Sequence, residues 1–274
     1  PLCDGTIIPP LDNVTAWIEW THRLFAALIG LFGLAMWYAA WRAYRADKPT
    51  VLQTTIVAAA LFLVQSILGA IVVVLELPPT FVTLHLGTAM LLLGTLLIAA
   101  VTSQYVPRFR KRDNVSWMIY INAAFSLLII LTGALVRGSG ATLACGKNWP
   151  LCIDNTILPV EIGQLALIHM VHRFAVAALG ITLLLLLWQI IQRRGNVMMR
   201  NITILTVLVY FMQAGVGAMY VFSVAGPEWG AAHVGMAAMT WGLLVILSTI
   251  EAMDTGEFTI SENQNETEWQ LQEA

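Results

Sequence analysis

Seven apolar runs limit what this chain can fold into. They cover about residues 17–41, 51–75, 81–104, 115–136, 165–192, 201–223 and 231–252, and each holds twenty residues or more. A helix of that length rises about 30 Å, the thickness of the hydrocarbon core of a bilayer. With 58% hydrophobic and 11% charged residues, the chain lacks the polar surface that a soluble domain of 274 residues requires. The expected fold is all-α: a polytopic membrane helical bundle in which each span satisfies its own backbone hydrogen bonds. The net charge of -2, with no basic stretch interleaved with aromatics, gives no nucleic-acid surface.

Consecutive spans alternate sides, which divides the loops into two sets. Loops 42–50, 105–114 and 193–200 hold Arg42, Arg45, Lys48, Arg108, Arg110, Lys111, Arg112, Arg193, Arg194 and Arg200, ten of the 14 basic residues. The opposite loops, 1–16, 76–80, 137–164 and 224–230, hold Arg137 and Lys147. The positive-inside rule places the first set in the cytoplasm or matrix and the second outside. Trp20, Trp149 and Trp229 then fall at the outer interface, where aromatic belts form. Residues 253–274 carry Asp254, Glu257, Glu262, Glu266, Glu268 and Glu273 without Lys or Arg, and read as an acidic disordered cytoplasmic tail.

The chain repeats itself. Pro1-Leu2-Cys3 returns as Pro150-Leu151-Cys152, His22-Arg23 as His172-Arg173, Gln65 with Gly69 as Gln213 with Gly217, and His85-Leu86-Gly87 as His233-Val234-Gly235. The matching residues are polar or conformationally special, so shared apolarity does not explain them. Before Pro150 stand a helix (115–136) and the segment Arg137-Gly138-Ser139-Gly140 through Cys145, with no counterpart before Pro1. The expectation is an N-terminally truncated member of an eight-helix design made of two tandem four-helix units, here 1–113 and 114–252. An even number of spans per unit gives both the same orientation, with the repeat axis along the membrane normal.

All five histidines belong to this pattern. Glu19 and His22, like His169 and His172, lie three apart and share a helical face. Ionisable groups within spans are costly and face a bundle interior. These positions offer imidazoles and one carboxylate but no thiolate cluster, unlike zinc or iron–sulfur sites. Two His from the first and third visible helices of a unit can clamp a flat macrocycle from both faces, giving bis-His heme iron sites at His22/His85 and His172/His233. Interhelical histidine hydrogen bonds are the plainer alternative. Cys145 and Cys152 flank a six-residue turn on the oxidising side, a candidate disulfide or an electron inlet, and Cys3 is left for a partner upstream. Arg23, Arg137 and Arg173 can either meet heme propionates or snorkel to the interface.

Taken together, Thr132-Gly133-Ala134-Leu135-Val136-Arg137-Gly138-Ser139-Gly140-Ala141, Trp149-Pro150-Leu151-Cys152, Glu19-x-x-His22-Arg23 and the His-x-Gly starts at His85 and His233 resemble the heme A synthase family over nearly all of residues 1–252. The resemblance implies an eight-helix membrane oxidoreductase that converts the C8 methyl of heme O to a formyl group, making heme A during cytochrome oxidase assembly. By position, His22 and His85 would bracket substrate heme O, while His172 and His233 would ligate a heme b that relays electrons. Glu19 would be the catalytic carboxylate, moving protons or trapping an electron-deficient methyl carbon. It is present only in the first copy, where the second has His169. Also implied are a lipid environment, a heme O donor such as heme O synthase, an unidentified electron acceptor and a homo-oligomer. The acidic tail facing the cytoplasm favours a prokaryotic plasma membrane, with a mitochondrial inner membrane as the alternative, and the loop charges put the His sites and Cys loop outside. The family commonly has five residues between the two loop cysteines; this chain has six. A reading of another class is a non-catalytic bis-His diheme membrane cytochrome that only relays electrons.

Overall fold

The computed structural model describes residues 8–10, 12–46 and 49–256. Cys3 and the part of the acidic tail beyond residue 256 lie outside the described residues. Seven helices follow in order: α1 (Val14–Tyr44), α2 (Pro49–Val74), α3 (Pro79–Gln104), α4 (Asn114–Gly138), α5 (Gln164–Arg193), α6 (Val197–Phe222) and α7 (Pro227–Asp254). All seven are long and apolar enough to cross a membrane. The remaining elements among the described residues are short 3-10 turns at Ala141–Leu143 and Ile153–Asn155. The chain is a multi-pass helical membrane bundle.

Local chemistry explains where the helices begin. The Asn13 side chain accepts from the Ala16 amide at 3.0 Å, and Asn196 accepts from Met198 at 3.0 Å. Asp113 and Ser116 form a reciprocal capping box at the head of α4. Pro79 and Pro227 open α3 and α7, where a missing amide hydrogen costs nothing.

The turns entering α3 and α7 are one structure built twice. Glu76-Leu77 and Val224-Ala225 are consecutive non-glycine residues with φ between 57° and 62°. The Leu77 amide donates to Val72 O at 2.8 Å and the Ala225 amide to Tyr220 O at 2.9 Å, the six-to-one closure that ends a helix on left-handed residues. Both pairs stand two residues before the helix-opening proline. The duplication legible in the sequence therefore extends to backbone dihedrals.

Helices α4, α5, α6 and α7 close a ring, each packed on two neighbours within it, and α3 lies against both α4 and α7. Helix α1 packs on α2. Lipid tails are as apolar as leucine, so dispersion and close approach, rather than exclusion of water, hold such helices together. Leu179, Leu183, Leu186 and Ile190 form one fully buried stripe of α5, meeting Leu244, Leu247 and Ile250 of α7 and Ile119 of α4 in the same cluster. Small residues bring α3 onto α7: Gly94 lies under Trp241 and Gly242 beside Leu97, and Trp241 Nε1 donates to Met90 O at 3.1 Å. The outward faces carry large apolar side chains such as Phe32, 72% exposed, as lipid contact requires.

A polar knot closes the end opposite the histidines. Glu251, fully buried, receives Arg110, Ser116 and Arg194. Arg194 also forks onto Asp113 at 2.7 and 2.9 Å. Asp254 accepts from the Tyr105 hydroxyl at 3.0 Å and the Arg108 amide at 2.8 Å, and its carbonyl takes the Arg110 amide at 2.9 Å. The hydrogen bonds from Arg194, working against partial burial, hold the Asp113 carboxyl well below the usual carboxylate range. Burial, reinforced by Asp254, pushes the Tyr105 hydroxyl up. The sequence reading ended the last span at 252 and gave 253–254 to the tail. Helix α7 instead runs through Asp254, because that carboxylate is held by the linker between α3 and α4.

Candidate heme sites

Helices α1, α3, α5 and α7 all start at the same end of the bundle, and each carries one histidine of the repeat near its start. His22 and His172 are eight residues into α1 and α5; His85 and His233 are six residues into α3 and α7. At 1.5 Å per residue these depths are about 12 and 9 Å below the helix ends. His233 lies within electrostatic reach of His172, and His22 within reach of His85. The four therefore gather as two pairs. Among the described residues no group of three or more His, Cys, Asp and Glu is placed to hold a bare metal ion. Paired imidazoles suit a metal that brings four equatorial donors of its own.

The second pair is oriented in detail. His233 Nδ1 lies 3.1 Å from the backbone oxygen of Gln213, which can only accept, so Nδ1 carries the proton and Nε2 keeps its lone pair. His172 Nδ1 lies 3.2 Å from Thr132 Oγ1, whose hydroxyl donates to Ile129 O at 2.9 Å; the oxygen thus accepts from the ring and again leaves Nε2 basic. Glycines give the rings room. A Cβ on Gly133 would come 3.2 Å from His172 Cε1, and one on Gly217 2.9 Å from His233 Cε1. Fixing the tautomer through the distal nitrogen is how proteins prepare an axial imidazole, so this pair fits a heme iron.

The first pair is held differently. His22 is exposed, and His85 is half-buried with its Nε2 3.1 Å from the Gln65 amide nitrogen. Gly69 backs its ring as Gly217 backs His233, at 3.2 Å. Glu19 pairs with Arg23 one turn along α1, both partly exposed. The corresponding His169 is buried, its Nδ1 without a hydrogen-bond partner.

The remaining sequence candidates are also placed. Cys145 and Cys152 are joined by a disulfide and buried against Ala166 and Met170 of α5. Arg173 Nη1 donates to Pro150 O at 3.1 Å and Leu151 O at 2.9 Å, clamping that loop onto α5. Arg137 donates to the Tyr220 hydroxyl at 3.3 Å. Arg23 is engaged by Glu19 and Arg173 by the loop. Sequence reasoning missed Gln65, Gln213 and Thr132 as histidine partners. The first two stood in the repeat, and Thr132 stood in the quoted motif beside Gly133.

A family model described as Cytochrome oxidase assembly protein matches residues 11–245. The heme A synthase of Geobacillus thermodenitrificans is 35% identical over 191 residues, covering 65% of this chain and 57% of that protein. That of Geobacillus kaustophilus (strain HTA426) is 29% identical over 255 residues, 90% of this chain and 79% of the relative. That of Bacillus mycoides (strain KBAB4) is 28% identical over 271 residues, 93% and 85%. The chain thus spans little more than half the length of the first relative and about four-fifths of the others. With six spans and most of the seventh inside the matched region, the chain belongs to the heme A synthase family of cytochrome oxidase assembly proteins, a family of membrane oxidoreductases.

Proposed function

We propose that this chain makes heme A from heme O, oxidising the C8 methyl to a formyl group. In this reading the unit 1–113 is the substrate half, with heme O between His22 and His85, and the unit 114–252 is the cofactor half, with heme b between His172 and His233. The observation that carries it is the unequal dress of two equal pairs: a carboxylate, Glu19, stands one turn from His22, whereas its counterpart His169 is a buried imidazole. Two identical relay sites have no use for that difference.

When bound, heme b would supply one-electron redox capacity. The chain supplies the rest. His172 and His233 present Nε2 with the tautomer already set. Converting a methyl to a formyl with water as the oxygen donor releases four electrons, which leave to the electron acceptor, and four protons, so a proton acceptor is needed beside the substrate and not beside the relay heme. Glu19 suits that role, and Arg23 fixes the orientation of its carboxylate. The disulfide loop, pinned by Arg173, covers the outer end of α5 and shields the cofactor half from water. The sites face the outside of a prokaryotic plasma membrane in this reading, by the loop charges. A heme O synthase, an electron acceptor and a second copy of the chain are the expected partners.

Acid extraction and chromatography of hemes from the full-length protein tests this. Heme b together with heme O or heme A is expected. Glu19→Ala should stop heme A formation while both sites still load. Finding heme b alone, in cells that make heme O, would sink the reading in favour of an electron-relay diheme cytochrome, for which Glu19→Ala is silent.

A further inference from the structure

Four positions, the histidine and three others, correspond between α2–α3 of the first half and α6–α7 of the second. In the first half they are Gln65 and Gly69 on α2 with His85 and Leu92 on α3; in the second, Gln213 and Gly217 on α6 with His233 and Thr240 on α7. Three of the four match. The fourth is Leu92 against Thr240, and it decides where the glutamine goes.

In the second half, Thr240 Oγ1, whose hydroxyl also reaches Met236 O at 3.0 Å, lies 3.3 Å from Gln213 Oε1, a contact that holds that side chain away from the histidine. Only the Gln213 backbone oxygen touches the ring, at Nδ1. In the first half Leu92 offers no hydroxyl, and Gln65 Oε1 is buried without a partner. The Gln65 amide instead reaches His85 Nε2 at 3.1 Å, while His85 Nδ1 is buried and unpartnered. An imidazole nitrogen has one lone pair, which cannot both accept that amide hydrogen and bind iron. Reversing the amide would put Oε1 against an Nε2–H, and the nitrogen would be taken all the same.

We propose that Gln65 is a positioning residue that competes with heme iron for His85 Nε2, making heme binding exchangeable in the first half, whereas Thr240 withdraws the same competitor from the second. The inference rests on His85 being an axial ligand. It supplies what the proposed reaction needs: a substrate must enter and its product leave, while a relay heme must stay.

The test uses the full-length protein purified with its resident heme, titrated with ferric protoporphyrin IX as the probe and followed by absorption and electron paramagnetic resonance. His85→Met identifies the first-half signal by its changed axial ligation. Gln65→Leu should tighten first-half binding roughly five-fold, the worth of one net hydrogen bond. Leu92→Thr, which retains Gln65 and gives it the partner that Gln213 has, should also tighten it. The resident heme in the second half is the internal control for folding and stays unchanged. Unchanged or weaker binding in Gln65→Leu overturns the proposal. Should that variant not fold, unchanged binding in Leu92→Thr overturns it alone. A His85→Met protein with the parent spectrum and affinity removes the axial assignment itself, a different failure from that of Gln65.

Discussion

The two halves carry the same histidines at the same depth, yet they hold them in opposite ways. In the second half His172 and His233 are oriented by hydroxyl and backbone oxygen, backed by glycine and set in a closed ring of four helices whose ends are tied by a disulfide loop and a polar knot. In the first half His22 is exposed, His85 shares its nitrogen with a flexible amide, and the nearby ion pair of Glu19 and Arg23 is open to its surroundings. Duplication supplied two equal frames. Under the proposed function, the rigid frame is the one where a group has to remain and the open frame the one through which a group has to pass.

The largest effect expected from this contrast lies in the two ion pairs. Glu251→Leu leaves Arg110 and Arg194 facing each other with one partner fewer in a buried cluster, and breaking such a pair costs about 3–5 kcal/mol. Glu19→Gln removes an exposed pair worth about 0–1 kcal/mol. Thermal unfolding in detergent measures both, and comparable losses would erase the distinction between a rigid and an open half. A smaller effect is expected at the glycines. Gly217→Ala places a methyl 2.9 Å from His233 Cε1, so the ring must move and the second-half heme signal should shift or weaken. Gly69→Ala meets His85 at 3.2 Å in a looser setting and should cost less, as read from the intensities of the two low-spin signals. The smallest effect is that of acid. Asp113, held low by Arg194, contributes stability that is complete above the ordinary aspartate value near 4 and fades as pH falls below it. Asp113→Asn should flatten that acid limb of the stability profile, measured by unfolding midpoint against pH.

Much of this was readable from the residues. The spans follow from hydropathy and the repeat from residues that recur at one offset; the same matches single out the histidines, and the six-residue turn on the outer side singles out Cys145 and Cys152. The partners of the histidines were harder to read. Gln65 and Gln213 are identical in sequence, and their different roles depend on one leucine seven residues past His85 where the other half has threonine. Arg173 stood between two readings, propionate contact and snorkelling; its actual partners are the carbonyls of Pro150 and Leu151, groups that every residue carries and no motif marks. Asp254 looked like the onset of an acidic tail, and Glu251 drew no reading inside the last span, because their cations lie far away in sequence; Arg110 is separated from Glu251 by 141 positions. A charge near the end of a span is ambiguous until its partner is known.

That separation also bears on how the molecule is made. The segment joining the halves is gripped by groups at the far end of the last helix, and α4 has α7 as a wall of its ring. Until translation has delivered that last helix to the membrane, the linker has nothing to hold and the second chamber stays open along one side. Synthesis thus leaves a lateral doorway that stays unbolted until α7 arrives.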